Sequence, residues 1–242
     1  MKPARILVYC RPGFEKECAQ EVTAAAAEMG VEGFVKARPE GGFAVFHAHE
    51  DAMGVKLGER LQFGRLVFPR QLLRTGELLS GLPEGDRVTP IVKAVQALGG
   101  RFSALWIETP DTNDGKALAS LIKPLTPHLE KGLRKAGIAF DDPQAQDRLH
   151  VFFVGGLACY VGLSQAGNSS SWPMGIPRLR MPSAAPSRSA LKLAEAMLEF
   201  TAGRPFEPGL TAVDLGASPG GWTWQLVQSI WRADASVPWT RA

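Results

Sequence analysis

The richest chemistry in this 242-residue chain lies in Val213-Asp214-Leu215-Gly216-Ala217-Ser218-Pro219-Gly220-Gly221-Trp222. The stretch reads as a short strand, an acidic residue, a glycine-rich turn and the start of a helix. A Walker A loop needs Gly-Lys-Ser/Thr, but Gly221 is followed by Trp222 and Thr223. A dinucleotide fingerprint needs G-x-G-x-x-G, whereas the glycines here are Gly216, Gly220 and Gly221. A carboxylate at Asp214 would repel a pyrophosphate and suits a ligand carrying an ammonium and a sulfonium, as S-adenosylmethionine (SAM) does. Loop amides and the helix N-terminus would receive that ligand's carboxylate, and the glycines let backbone approach it closely. The competing reading is a tight turn that packs strand on helix and binds nothing.

The whole chain must supply the elements that hold this loop. A hydrophobic content of 45% provides for a core. A formal charge of +3 permits a nucleic-acid partner without demanding one. No apolar run approaches the roughly 20 residues that span a bilayer, and Ile6 to Tyr9 is too short for a signal peptide. Cys10, Cys18 and Cys159 are scattered with no CxxC spacing, so no disulfide framework or zinc site is expected. A cytoplasmic location is the simplest expectation. His47 and His49 alternate on one strand face without a third ligand, so no metal is expected.

Arg5 to Tyr9 reads as a strand and Phe14 to Met29 as a helix stopped by Gly30. Gly33 to Ala37 and Gly42 to Ala48 read as two strands, Asp51 to Leu61 as a helix, and Leu66-Val67-Phe68 as a fourth strand. The order β-α-β-β-α-β is the ferredoxin-like split βαβ. A second module follows, with helix Asp86 to Leu98, strand Phe102 to Thr109 and a helical stretch Lys116 to Gly137 broken near Pro124 and Pro127. A hairpin then joins His150–Val154 to Ala158–Leu163. Gln165 to Pro186, rich in Gly, Asn, Ser and Pro, reads as a linker or a long ordered loop. Ser187 to Phe200 reads as a helix with Leu191, Ala194 and Leu198 inward, Lys192, Glu195 and Glu199 outward, and Ser187 or Ser189 as its cap. Pro205 to Gly209 breaks the chain before the strand that carries the glycine loop.

Asp214 to Thr223 resembles motif I of the Rossmann-fold ribose methyltransferases, and Ala185-Pro186-Ser187-Arg188-Ser189-Ala190-Leu191-Lys192-Leu193 resembles their motif X. Three further segments sharpen the likeness: Cys10 to Glu15, Asp111 to Lys116, and Trp172 to Leu179. Together they resemble the large-subunit ribosomal RNA methyltransferase M family, whose members 2′-O-methylate a cytidine of 23S rRNA. The resemblance runs from about Ile6 to Val227. It implies an α+β N-terminal part followed by the start of an α/β Rossmann-like methyltransferase domain. Residues 1–70 would form a ferredoxin-like domain, 71–165 a THUMP RNA-binding domain, 166–186 a linker and 187–242 the first part of the methyltransferase domain. It also implies SAM contacts at Ser189, Ser218, Pro219, Gly220 and Gly221, beside Asp214 and Gly216 from the charge argument. Lys192 would be the first lysine of a catalytic Lys-Asp-Lys-Glu tetrad, which positions and deprotonates a ribose hydroxyl. The implied partner is 23S rRNA before ribosome assembly is complete.

After Val227 the likeness ends, and the tail to Ala242 offers no second strand and no positions for the other tetrad residues. Asp234 lies at a tempting spacing beyond Asp214, yet no strand leads into it. The expectation is a premature stop, a frameshift near residue 228 or a deliberately shortened chain, inactive by itself. Arg178, Arg180, Arg188 and the stretch Lys123 to Lys135 are candidates for phosphate contact or for plain solvated faces. Trp172 is a candidate for base stacking or loop packing. The alternative functional reading is a stand-alone THUMP-type RNA-binding module without catalysis. A different Rossmann nucleotide enzyme is disfavoured by Asp214 and the missing lysine.

Overall fold

Unbroken apolar runs in Arg5–Tyr9 (β1) and Phe43–Ala48 (β3) supply both faces of a sheet, with Ile6, Val8, Ala44 and Phe46 on one side. The computed structural model describes residues 3–201 and 210–231. It divides into two units, one ending at Ile176 and the other beginning at Pro177.

The first unit opens with β1, helix Glu15–Glu28 (α1), strand Gly33–Ala37 (β2), β3, helix Asp51–Arg60 (α2) and strand Gln71–Thr75 (β4). This is the expected ferredoxin-like order. Helix Val88–Gln96 (α3), strand Leu105–Glu108 (β5), helices Asn113–Ile122 (α4) and Thr126–Lys135 (α5), and strands Asp147–Gly155 (β6) and Ala158–Gln165 (β7) follow. The two prolines break the α4–α5 stretch as expected, through a 3-10 turn at Lys123–Leu125. All seven strands form one sheet in the order β2-β3-β1-β4-β7-β6-β5.

Register shows which side chains share a face. Ile6 pairs with Arg74, Arg74 with Leu163, Leu163 with Leu149 and Leu149 with Leu105. These residues therefore look toward one side, where α1 to α5 bury them. Cys18, Val22, Ala26 and Leu57 pack on β1, β3 and β4, and Ile91, Val95, Ile122, Leu129 and Leu133 pack on β6 and β7. On the opposite face Leu7, Tyr9, Val45, Leu73 and Phe152 form a further buried cluster.

Leu66-Val67-Phe68, expected as the fourth strand, is not one. The Glu21 carboxylate of α1 accepts hydrogen bonds from the Val67 and Phe68 amides at 2.7 and 3.0 Å. Amides held this way cannot join a ladder, and Pro69 brings no donor of its own. The strand forms five residues later, as β4. Of the stretch read as a linker or an ordered loop, residues 166–176 are an ordered loop on the sheet. Asn168 bonds the Phe63 amide and the Leu61 carbonyl, and Ser170 exchanges hydrogen bonds with Gln71.

The loop is also fixed by a buried polar cluster. Tyr9 Oη donates to Glu108 Oε2 at 2.8 Å, His150 Nδ1 donates to the same oxygen at 2.9 Å, and Ser164 Oγ lies 2.8 Å from His150 Nε2. The Met174 amide donates to Glu108 Oε1. Gly175 has a φ of +66°, and a Cβ there would meet the Arg70 carbonyl at 1.9 Å.

In the second unit, helix Ser189–Phe200 (α6) packs on helix Gly221–Trp231 (α7). Lys192, Glu195 and Glu199 point outward as expected, and Ala190, Ala194 and Met197 are buried. Neither Ser187 nor Ser189 caps α6; their hydroxyls bond each other instead, at 2.6 Å. Residues 210–214 form no strand, which corrects the expected strand before the loop. A strand needs a ladder partner, and none lies beside them among the described residues. Pro205 to Gly209 and Asp234 lie outside the described residues.

Burial by itself would raise the Glu108 carboxyl. The charge and hydrogen bond of His150, the Met174 amide and the Tyr9 hydroxyl outweigh it and hold the group below its ordinary 4.5. A depressed carboxyl contributes stability that is complete above its unfolded value and lost as pH falls through its folded value. Resistance to denaturant should therefore fall as pH drops below about 4.5. Glu108→Gln should be about 3 kcal/mol less stable at neutral pH, because a buried His150 partner is removed, and should lose that part of the acid dependence. A wild-type pH profile in the variant would contradict this role.

Candidate active site

The glycine loop of the second unit is built around backbone conformations that glycine tolerates. Gly216 has φ +80° and Gly220 φ +93°. A Cβ at Gly216 would meet only open space. Between them the Ser218–Pro219 bond is cis, and the Gly220 amide bonds the Ala217 carbonyl. The Gly220 carbonyl then accepts from the Trp224 amide at 2.8 Å, so α7 begins directly after the loop.

Asp214 is tied to that helix start. Its Oδ2 accepts from the Thr223 amide at 3.0 Å and from Thr223 Oγ1 at 2.7 Å. A carboxylate beside the first turn also sits favourably in the helix dipole field. Both bonds use one oxygen, which leaves Oδ1 turned to other partners.

Gly221 is the closest contact point between loop and α6. A Cβ there would lie 2.1 Å from Ser189 Oγ, 2.3 Å from Ser187 Oγ and 3.1 Å from the Ala190 amide. Only hydrogen fits in that position. The contact brings together Ser189 and Gly221, two sequence candidates 32 positions apart. Lys192 follows Ser189 by three residues on α6, about one helical turn along the same side, and is exposed. Ser218 and Pro219 form the exposed rim of the loop.

The geometry fits a ligand with a carboxylate at the loop and a cation near Asp214. Open glycine positions, amides at a helix start and an unspent carboxylate oxygen are the parts the charge argument requires. Sequence reasoning gave no role to Thr223, which anchors Asp214, and took Ser187 only for a cap. A Thr at the third helix position is a weak sign of such an anchor. The fit of Ser187 to Gly221 has no local signal, because they lie 34 positions apart.

The other candidates fall in the first unit or on open faces. Two of the quoted segments meet there. The Cys10 amide bonds the Gly42 carbonyl, Glu15 accepts from the Gly13 and Gly42 amides, and Thr112 lies beside Gly42. A cavity of about 320 Å³ between these segments is lined by Pro12, Glu40, Asp111, Thr112, Asn113, Asp114 and Lys116. Three carboxylates against one lysine make it a poor phosphate site. Arg134 pairs with Asp141 and lies over the Phe140 ring. Lys123, Lys131, Lys135, Arg180 and Arg188 are exposed, and Trp172 is half-buried. No group of three or more potential metal ligands occurs among the described residues.

Residues 3–73 match the family described as RlmM ferredoxin-like domain, and residues 86–165 match Ribosomal RNA large subunit methyltransferase M, N-terminal. Residues 185–236 match FtsJ-like methyltransferase. A protein named Ribosomal RNA large subunit methyltransferase M from Methylococcus capsulatus is 45% identical over 229 residues, covering 93% of this chain and 64% of the relative. Relatives of the same name from Thauera aminoaromatica and Cellvibrio japonicus are each 46% identical, again over 93% of this chain, and are covered to 63% and 64%. With family matches in both units, the chain belongs to the ribosomal RNA large subunit methyltransferase M family and spans somewhat under two thirds of the length of these curated relatives.

Proposed function

We propose that this chain carries the cofactor loop and the RNA-binding part of a cytoplasmic SAM-dependent enzyme that 2′-O-methylates a cytidine in 23S rRNA. The observation that carries the reading is the loop itself. Gly221 packs on Ser187 and Ser189 while Asp214 is held at the start of α7. Residues 71–165 serve as a THUMP-type RNA-binding domain in this reading, ahead of a connection at 166–186 and the methyltransferase part from 187.

SAM supplies an electrophilic methyl group on sulfonium. The amides of Ser218 and Gly221 would receive its carboxylate, Asp214 would meet its ammonium side, and Ser189 would close the wall behind Gly221. Lys192 would sit toward the ribose, where its ammonium would lower the cost of the alkoxide developing on the 2′ oxygen. Bound SAM would supply the methyl group, its C–S bond breaking as the O–C bond forms, and the hydroxyl proton would pass to a base. A 2′-hydroxyl is far too weak an acid to lose that proton unaided at neutral pH, which is why a positioned cation matters.

One observation favours the alternative of an RNA-binding module without catalysis. Val213 and Leu215, next to Asp214, are 77% and 91% exposed, although a strand of a Rossmann sheet buries such residues. Calorimetric titration with SAM separates the readings. Binding supports the enzyme, whereas salt-dependent RNA binding without SAM binding supports the module. Gly221→Ala should abolish the SAM signal and weaken α6–α7 packing, since its Cβ overlaps two hydroxyls.

Transfer is read from tritiated SAM and 23S rRNA lacking the modification. In a full-length active enzyme carrying this chain's sequence, Lys192→Ala should lower ribose labelling by about 10²- to 10⁴-fold with SAM affinity retained. Label on a base, or full activity in Lys192→Ala, would contradict the assignment.

A further inference from the structure

On the face of the sheet opposite α1 to α5, the edge strand β2 presents Phe34, which is 47% exposed. Its ring is not loose. His47 of β3, its register partner, stacks behind it at 5.1 Å with an interplanar angle of 6°. His49 lies at 6.4 Å, tilted by 35°. The Lys36 ammonium lies 5.6 Å from the Phe34 ring centroid, within cation–π range. A close Cβ contact keeps the strands tight at this point, because Gly33 has the His47 carbonyl where a side chain would sit. The result is one flat aromatic surface, fixed from behind, with an exposed cation at its edge.

We propose that Phe34, backed by His47 and flanked by Lys36 and His49, is a stacking platform for an unpaired nucleobase of RNA. The proposal rests on RNA being the partner, as argued above, and adds the place and the mode of contact. Nucleobases stack on aromatic side chains with little regard to sequence, and the neighbouring phosphate wants a cation. Lys36 supplies that cation once a base displaces it from the ring. Burial first, and then the positive charges of Lys36 and Arg5, push the His47 imidazole below its ordinary value. That favours a neutral ring which stacks without repelling Lys36. The His47 Nε2 atom is buried and has no hydrogen-bond partner in the structure.

The surroundings argue against a protein occupant. Phe34 is a single apolar ring among exposed Lys36, Arg38, Glu32 and His49, with no contiguous apolar patch of the kind protein partners bury. Cationic side chains on an edge strand also discourage strand pairing with a second copy.

The test is filter binding of the chain to a short single-stranded RNA of mixed sequence and to a perfect RNA duplex. Phe34→Ala should weaken single-strand binding by about 5- to 100-fold and leave the duplex unaffected, because duplex bases are already stacked. Phe34→Trp should restore binding. Lys36→Ala should lower the salt slope by about one unit. Phe34→Leu keeps the apolar volume without the π face, so wild-type affinity in that variant overturns the platform while the RNA reading stands. No RNA binding by the wild-type chain overturns both. A Phe34 effect confined to self-association, with RNA affinity unchanged, also overturns it.

Discussion

Two residue pairs join the halves of the first unit: Arg74 with Leu163 and Thr75 with Gly162. Gly162 permits the contact, since a Cβ there would lie 2.9 Å from the Arg74 carbonyl. Thr75 Oγ1 adds a bond to the Val161 carbonyl, and Arg74 pairs with Asp147 at 2.8 Å. Through this short seam the ferredoxin-like strands and the strands of the second module become one sheet. Strands about 4.8 Å apart would leave β1 and β5 of a flat sheet roughly 19 Å from each other. Tyr9 of β1 nevertheless bonds Glu108 of β5, and its ring stacks on Phe152 at 4.5 Å. The sheet must therefore fold over beyond the seam, and the shortness of the seam allows that.

The fold-over creates the buried Glu108 cluster. Taking a carboxylate and an imidazole out of water is costly, and such pairs specify an arrangement more than they stabilise it. Here the arrangement is the path of residues 170–176, fixed by Glu108, Gln71 and the Gly175 contact with Arg70. The second unit follows the same logic on a smaller scale. A glycine with no room for a methyl group sets loop against helix, and a carboxylate on backbone and hydroxyl donors sets the start of α7.

Much of this was legible in the sequence, for identifiable reasons. The split βαβ order follows from short apolar runs in Arg5–Tyr9 and Phe43–Ala48, buried on both faces, and from the apolar stripe of Glu15–Glu28. The glycine loop is legible because positive φ leaves few residue choices. Leu66-Val67-Phe68 misled because its composition suits a strand, whereas its amides are taken by Glu21 from another element. Glu108, His150 and Ser164 gave no warning, since single polar residues in apolar strands look like surface positions until register places them together. Val213 and Leu215 have strand composition as well, but composition cannot supply a ladder partner.

The central claim is that the second unit binds SAM at the glycine loop, beside the first turn of α6 that packs against it. Ultraviolet crosslinking of methyl-labelled SAM to the chain, followed by peptide mapping, tests it most directly. The account predicts label in the peptides holding Ser187 to Lys192 and Asp214 to Thr223, competed away by unlabelled SAM. Competed label confined to the unit ending at Ile176, or no competed label at all, would contradict it.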